Sequence, residues 1–262
     1  MTPKETPTDA TRELSTLNGV HGRRTIMLRE LRIVMALELP AESDKRAYRE
    51  AVVERNVLAL TTVANRKITW DNLNRLYLFD NSVFFRNFRQ LWYRTSEEQR
   101  PALGAVLALK RDGMFFEAGQ ALVSQAIGTA VDSGFFQSHI ETSYPGRYSS
   151  NTAASMSRNL FSSYKQSGWV DEKTLKRKEA KPGAAALSLA LFLAWTRGLR
   201  GSLLFDDPLV ALLLTDIPEP LTLLWEAHRS SFINYYDSGG ISDIRFPGWL
   251  TPEEQETYHG AV

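Results

Sequence analysis

The chain has 262 residues, 31 Lys/Arg against 30 Asp/Glu, a hydrophobic fraction of 43% and no cysteine. That length and apolar content can bury a sizeable core and argue against general disorder, and the missing thiols exclude disulfides, cysteine nucleophiles and cysteine-ligated zinc. The near-zero net charge conceals a sorting along the chain: residues 145–200 hold ten Lys/Arg against three Asp/Glu, net +7, and residues 201–262 hold two against ten, net −8, a separation that points to a partner surface.

Residues 1–11, MTPKETPTDAT, read as a floppy tail. No apolar run follows their first basic residues, so a secretory signal is not expected and the setting reads as cytoplasmic. Periodicity then predicts helices almost throughout the first half. Arg24–Leu39 puts Ile26, Leu28, Leu31, Met35 and Leu39 on one side, with Arg24, Arg29 and Arg32 largely elsewhere, and Pro40 stops it. Ser43 is placed as the N-cap of a helix from Asp44 through Val57, with a possible extension to Ala64. Trp70–Asp80, Ser82–Tyr93, Ser96–Lys110 and Met114–Ala130 complete this half, and TSYPGRYSS at 142–150 reads as a loop and a boundary.

Beyond that loop a helix is expected at Thr152–Ser167, ending on Gly168 as its C′ residue. The apolar run Ala184–Trp195 has twelve residues where a membrane span needs about twenty, so it reads as a buried helix and no membrane is expected. Short helices follow at Pro208–Leu214 and Pro220–Ser231. Phe232–Tyr236 and Ile241–Phe246 around Gly239-Gly240 then form a hairpin signature. The expected fold class is mostly α: a helical domain at 12–145, a winged-helix-like domain at 146–250 with a small β-hairpin, and a tail at 251–262.

Within Thr152–Ser167, Met156, Leu160 and Tyr164 form an inward stripe, which leaves Arg158, Ser162 and Lys165 together on another face. Arg and Lys neutralise phosphates and Ser donates to their oxygens, so the face suits either a nucleic-acid backbone or plain solvent. The next segment adds Lys173, Lys176, Arg177, Lys178 and Lys181 within nine residues, as a wing beside the helix or as a solvated turn diluted by Asp171, Glu172 and Glu179. Five neutralised phosphates would give a log-log salt slope of about −4 to −5. Asn81–Arg94 interleaves aromatics with arginines, as single-strand binders do, but its helical spacing reads more naturally as core with a basic outer face. The four histidines are scattered and match no metal-ligand spacing, and no phosphate-binding loop or nucleophile elbow occurs. Asp206-Asp207 before Pro208 reads as a helix cap rather than a metal site. No catalytic residue, cofactor or metal is therefore assigned, and the chain is not read as an enzyme.

The stretches RNLFSSYKQSGWV at 158–170, AAALSLALFLAWTRGLRGSLLFDDPLVALLL at 184–214 and DSGGISDIRF at 237–246 resemble the BrxA family of BREX-type bacterial anti-phage defence islands. The resemblance spans about residues 145–250. It implies a helical amino-terminal part, winged-helix elements and DNA binding without catalysis inside a multi-protein defence system. The implied contact region is the helix at Arg158–Lys165 with its following basic turn. Together these readings predict a DNA-binding accessory protein that contacts double-stranded DNA mainly through phosphates, by way of Arg158, Ser162, Lys165, Lys173, Lys176, Arg177 and Lys178. The alternative is an adaptor that assembles other defence-system proteins through its acidic last quarter.

Overall fold

The computed structural model describes residues 20–40, 43–80, 82–239 and 241–259, so the tail read at 1–11 lies outside the described residues. The chain is mostly helical, with one small antiparallel hairpin near its carboxyl end. The helices are α1 Leu28–Met35, α2 Lys45–Arg49, α3 Val63–Tyr77, α4 Val83–Arg94, α5 Arg100–Arg111, α6 Gly113–Val123, α7 Ser133–Ser143 and α8 Ser150–Gln166. There follow α9 Gly183–Trp195, α10 Pro208–Leu214, α11 Pro220–Arg229, strands β1 Asn234–Ser238 and β2 Ile241–Arg245, and α12 Pro252–His259.

The apolar run forms α9 as expected, and every residue from Ala184 to Trp195 is buried. It packs against α4, α5, α10 and α11, which is why it can be apolar all round: it has no water-facing side to keep polar. Among the described residues no helix is long and apolar enough to cross a membrane. In α4, Phe85, Phe88, Leu91 and Trp92 are buried. Its arginines are engaged by the protein itself: Arg86 with Glu254, Arg89 with the Leu39 and Pro40 carbonyls, and Arg94 with the Ser230 carbonyl. The core reading of that segment therefore holds.

Several boundaries differ from expectation. The first helix starts at Leu28 rather than Arg24, because the Ile26 N–H is taken by Ser163 Oγ (3.0 Å) and Met27 adopts a left-handed φ of 50°. Asp44, not Ser43, caps α2, accepting from the N–H groups of Arg46 and Ala47. That helix widens into a π turn at Glu50–Glu54, and a new one starts at Val63, where Thr62 Oγ1 accepts from the Asn65 N–H. Helix α6 ends at Val123, well before Ala130. Helix α7 has no counterpart in the sequence reading, and residues 252–259 of the expected tail are helical. The buried core runs as one cluster from Val20 to Trp249, across the boundary drawn at 145/146.

The hairpin pairs Tyr235 with Ile244 and Ser238 with Ile241. Tyr235 and Ile244 face inward and are buried, and alternation along the strand turns Tyr236 out to 52% exposure.

Candidate nucleic-acid interface

Helix α8 is built as its sequence dictates. Ser149 Oγ accepts from the Thr152 N–H at 3.3 Å as N-cap, the stripe Ala153, Met156, Leu160 and Tyr164 is buried, and Gly168 at φ 83° terminates the helix. Arg158 is exposed on the opposite side. Ser162 is half-buried and accepts from Gln166 Nε2 at 3.3 Å, and the Lys165 ammonium lies 4.7 Å from the Phe161 ring centroid. By spacing, Arg158, Ser162 and Lys165 line one stripe of the helix surface.

The basic segment after α8 is pinned rather than free. Asp171 Oδ1 accepts from the Lys173 and Thr174 N–H groups, closing a turn. Val170 and Arg177 form an antiparallel bridge, as do Ala130 and Lys176. The Arg177 N–H donates to the Thr129 carbonyl (2.8 Å) and the Lys178 N–H to the Trp169 carbonyl (2.8 Å). Extended backbone makes successive side chains alternate, so Lys176 and Lys178 face solvent and Arg177 points in.

Arg177 thus leaves the predicted contact set. Its side chain is 2% exposed; Nη2 meets Asp216 at 2.7 Å and the Val123 carbonyl at 3.2 Å, and Nε donates to the Leu122 carbonyl at 3.1 Å. Asp216 Oδ2 also accepts from the Ala180 N–H (2.9 Å), so this pair clamps the basic segment to the end of α6. Lys173 and Lys176 are exposed, and Lys178 is exposed with its ammonium 3.8 Å from Asp171.

A cleft of about 1010 Å³ opens where the end of α8, this segment, α1 and the start of α5 meet. Six cations line it: Arg29, Arg32, Lys165, Arg177, Lys178 and Lys181, with Glu98, Glu172 and Glu179 as the opposing acids. The Leu28 N–H donates to Gln166 Oε1 at 3.0 Å, which fastens the first turn of α1 to the last turn of α8 and brings Arg29 and Arg32 beside Lys165. Arg29 and Arg32 are exposed and have no acid partner among the described residues. They are the residues the sequence reading missed. Their place on the polar side of α1 was legible, but not the neighbour that side meets. Lys181 is 77% exposed and lies 3.3 Å from Glu179. Arg158, Ser162, Lys173 and Lys176 stand outside the cleft.

A second constellation was hidden by sequence distance. His21 Nδ1 donates to Asp112 Oδ2 at 2.8 Å, and His21 Nε2 lies 2.8 Å from Ser163 Oγ, the order of a nucleophile–base–acid triad. All three residues are fully buried, and the imidazole stacks on Phe115 with centroids 4.8 Å apart. Ser163 Oγ donates to the Asn159 carbonyl (2.7 Å) and accepts from the Ile26 N–H (3.0 Å). Burial acts to raise the Asp112 carboxyl, but His21's charge and hydrogen bond, with the Phe115 and His21 N–H groups, outweigh it and hold the group below its ordinary value. Sealed from solvent, the three side chains join the Val20–Gly22 turn, the start of α6 and α8.

Asp207 caps α10, accepting from the Leu209 and Val210 N–H groups, and is ion-paired with Arg197, as the cap reading of Asp206-Asp207 expects. Among the described residues no three His, Asp or Glu side chains gather as a metal site. No protein-family model matches the chain, and no curated protein matches it.

Proposed function

We propose that the chain binds nucleic acid through the phosphate backbone, with double-stranded DNA as the partner, and that it acts as a non-catalytic accessory protein. The observation that carries this is the convergence of cations from three separate stretches of sequence on one cleft: Arg29 and Arg32, Lys165, and Lys178 with Lys181. Exposed Arg158, Lys173 and Lys176 extend the positive character along α8 and the pinned segment. Neutralising phosphates releases counterions, so such a surface binds in a salt-dependent and largely sequence-independent manner. The resemblance of residues 145–250 to the BrxA family supplies the setting, a bacterial anti-phage defence system.

The order α9, α10, α11, β1, β2 supports a winged-helix-like unit at the carboxyl end. The helix before that wing is α11, whose sequence PLTLLWEAHR is not basic, so DNA contact is assigned to the α8 side. The test is fluorescence anisotropy with a labelled duplex at two salt concentrations. Replacing Lys173, Lys176 and Lys178 by Glu lowers affinity at least about tenfold and flattens the salt slope; unchanged affinity overturns the assignment. Arg177 is left intact because its loss unfolds the clamp.

A second reading has its own observation. Leu221 and Trp225, one turn apart on α11, are 55% and 41% exposed, and Tyr236 on β1 is 52% exposed, all within the acidic last quarter. Exposed apolar side chains within an acidic stretch of sequence fit docking to another subunit. Co-purification with neighbouring gene products that is abolished by Trp225→Glu, with DNA affinity retained, supports this adaptor role.

A further inference from the structure

The duplex reading leaves one feature of the cleft unused. Arg177 lines it, and its Nη1 is a buried donor atom with no hydrogen-bond partner among the described residues, although Nε and Nη2 are fully engaged with Leu122, Val123 and Asp216. Buried guanidinium donors are normally satisfied, and each exception asks for an acceptor. Asp216 already balances the charge of Arg177, so what Nη1 lacks is an acceptor oxygen.

We propose that this cleft binds a phosphomonoester on a nucleoside, either the phosphorylated end of a nucleic-acid strand or a free nucleotide. The proposal rests on the phosphate-binding reading above and narrows it. At about 1010 Å³ the cleft matches the upper end of small-ligand pockets, with room for one or two nucleotides. Arg29 and Arg32, free of acid partners among the described residues, join Lys165, Lys178 and Lys181 at the cleft. Against Glu98, Glu172 and Glu179, and with Asp171 3.8 Å from the Lys178 ammonium, these five cations keep a net positive charge, and the three terminal oxygens of a monoester offer Nη1 an acceptor. Leu28, Ile33, Pro101, Ala102 and Ile127 give part of the wall an apolar character, which suits a sugar and the face of a base, and Gln166 and Ser167 add neutral polar groups. Among the described residues no aromatic ring lines the cleft, so these residues select no base by stacking.

The experiment uses the full chain and one short single-stranded oligonucleotide carrying a 5′-phosphate, a 3′-phosphate or hydroxyls at both ends, read by anisotropy, with AMP as competitor. Binding about tenfold tighter to a phosphorylated end than to the hydroxyl form is expected, the effect of one to two charge-assisted hydrogen bonds. Competition by AMP as effective as by the phosphorylated oligonucleotide assigns the site to free nucleotides, and weaker competition assigns it to strand ends. Arg177→Lys keeps a cation for Asp216 but removes Nη1, so it abolishes the phosphate preference while duplex affinity stays within about twofold. Where that variant melts early, Arg32→Gln serves instead and lowers the preference with the fold intact. Equal affinity for phosphorylated and hydroxyl ends, with duplex binding retained, overturns the pocket alone, and binding to none of these ligands overturns both proposals.

Discussion

Replacing Asp216 by Ala leaves the Arg177 guanidinium charged and buried. The two side chains are 8% and 2% exposed, 2.7 Å apart, and Asp216 also takes the Ala180 N–H at 2.9 Å, so the change strips two donors of their acceptor. Breaking a buried pair from one side costs about 3–5 kcal/mol, because the surviving charge has lost both water and partner. For a chain of this size each kcal/mol moves Tm by about 2–4 °C, which gives a fall of roughly 6–20 °C. Thermal melts by circular dichroism, with urea titration for the free energy, measure this. The paired apolar replacement Arg177→Met/Asp216→Leu recovers much of the loss, whereas Lys173→Ala and Lys176→Ala stay within about 0.5 kcal/mol. A loss under about 1 kcal/mol for Asp216→Ala refutes the claim that the buried Arg177–Asp216 pair clamps the basic segment to the fold.

Ser163→Ala leaves His21 Nε2 and the Ile26 N–H without their shared hydroxyl and costs about 1–3 kcal/mol by urea titration; a neutral outcome contradicts the structural role of the buried triad. The Asp112 carboxyl is held below its ordinary 3.8, so its contribution is fully present above that value and is lost as pH falls below it. The stability gap between the wild type and Asp112→Asn therefore narrows on acidification from neutral pH to about pH 3, and a gap independent of pH is inconsistent with an ionised, stabilising Asp112 carboxylate. At Gly119 an added Cβ meets the Tyr164 hydroxyl at 2.8 Å and Leu212 Cδ2 at 3.3 Å, so Gly119→Ala destabilises by about 1–3 kcal/mol, read from the urea midpoint.

The elements legible in the sequence are those with a strong local signal. Helix α9 is announced by twelve consecutive non-polar or small residues, α8 by its Met156, Leu160 and Tyr164 spacing and Gly168 stop, and the hairpin by its glycine turn. Helix α7, SGFFQSHIETS, escaped because it buries mainly Phe136 and Ile140 and is otherwise built of weak helix formers, held by the Asp132 cap and by packing on α8. The site was legible in part. A run such as Lys176-Arg177-Lys178 reads as uniformly exposed charge until one knows that its backbone is extended and that Asp216, 39 residues on, receives the middle side chain. The same holds for His21, Asp112 and Ser163: spacing cannot reveal contacts across 91 and 142 residues. Arg29 and Arg32 gain meaning from Gln166, which docks α1 on α8, a tertiary contact that no local pattern encodes.

The most direct test of a shared cationic surface is the salt dependence of duplex affinity in the wild type and in Arg29→Glu/Arg32→Glu, two residues far in sequence from the basic segment. The account predicts a steep wild-type log-log slope that loses roughly 1.8 in magnitude in the variant, two phosphates' worth, with Tm unchanged. An identical slope in the two proteins, or a wild type that does not bind duplex at all, contradicts it.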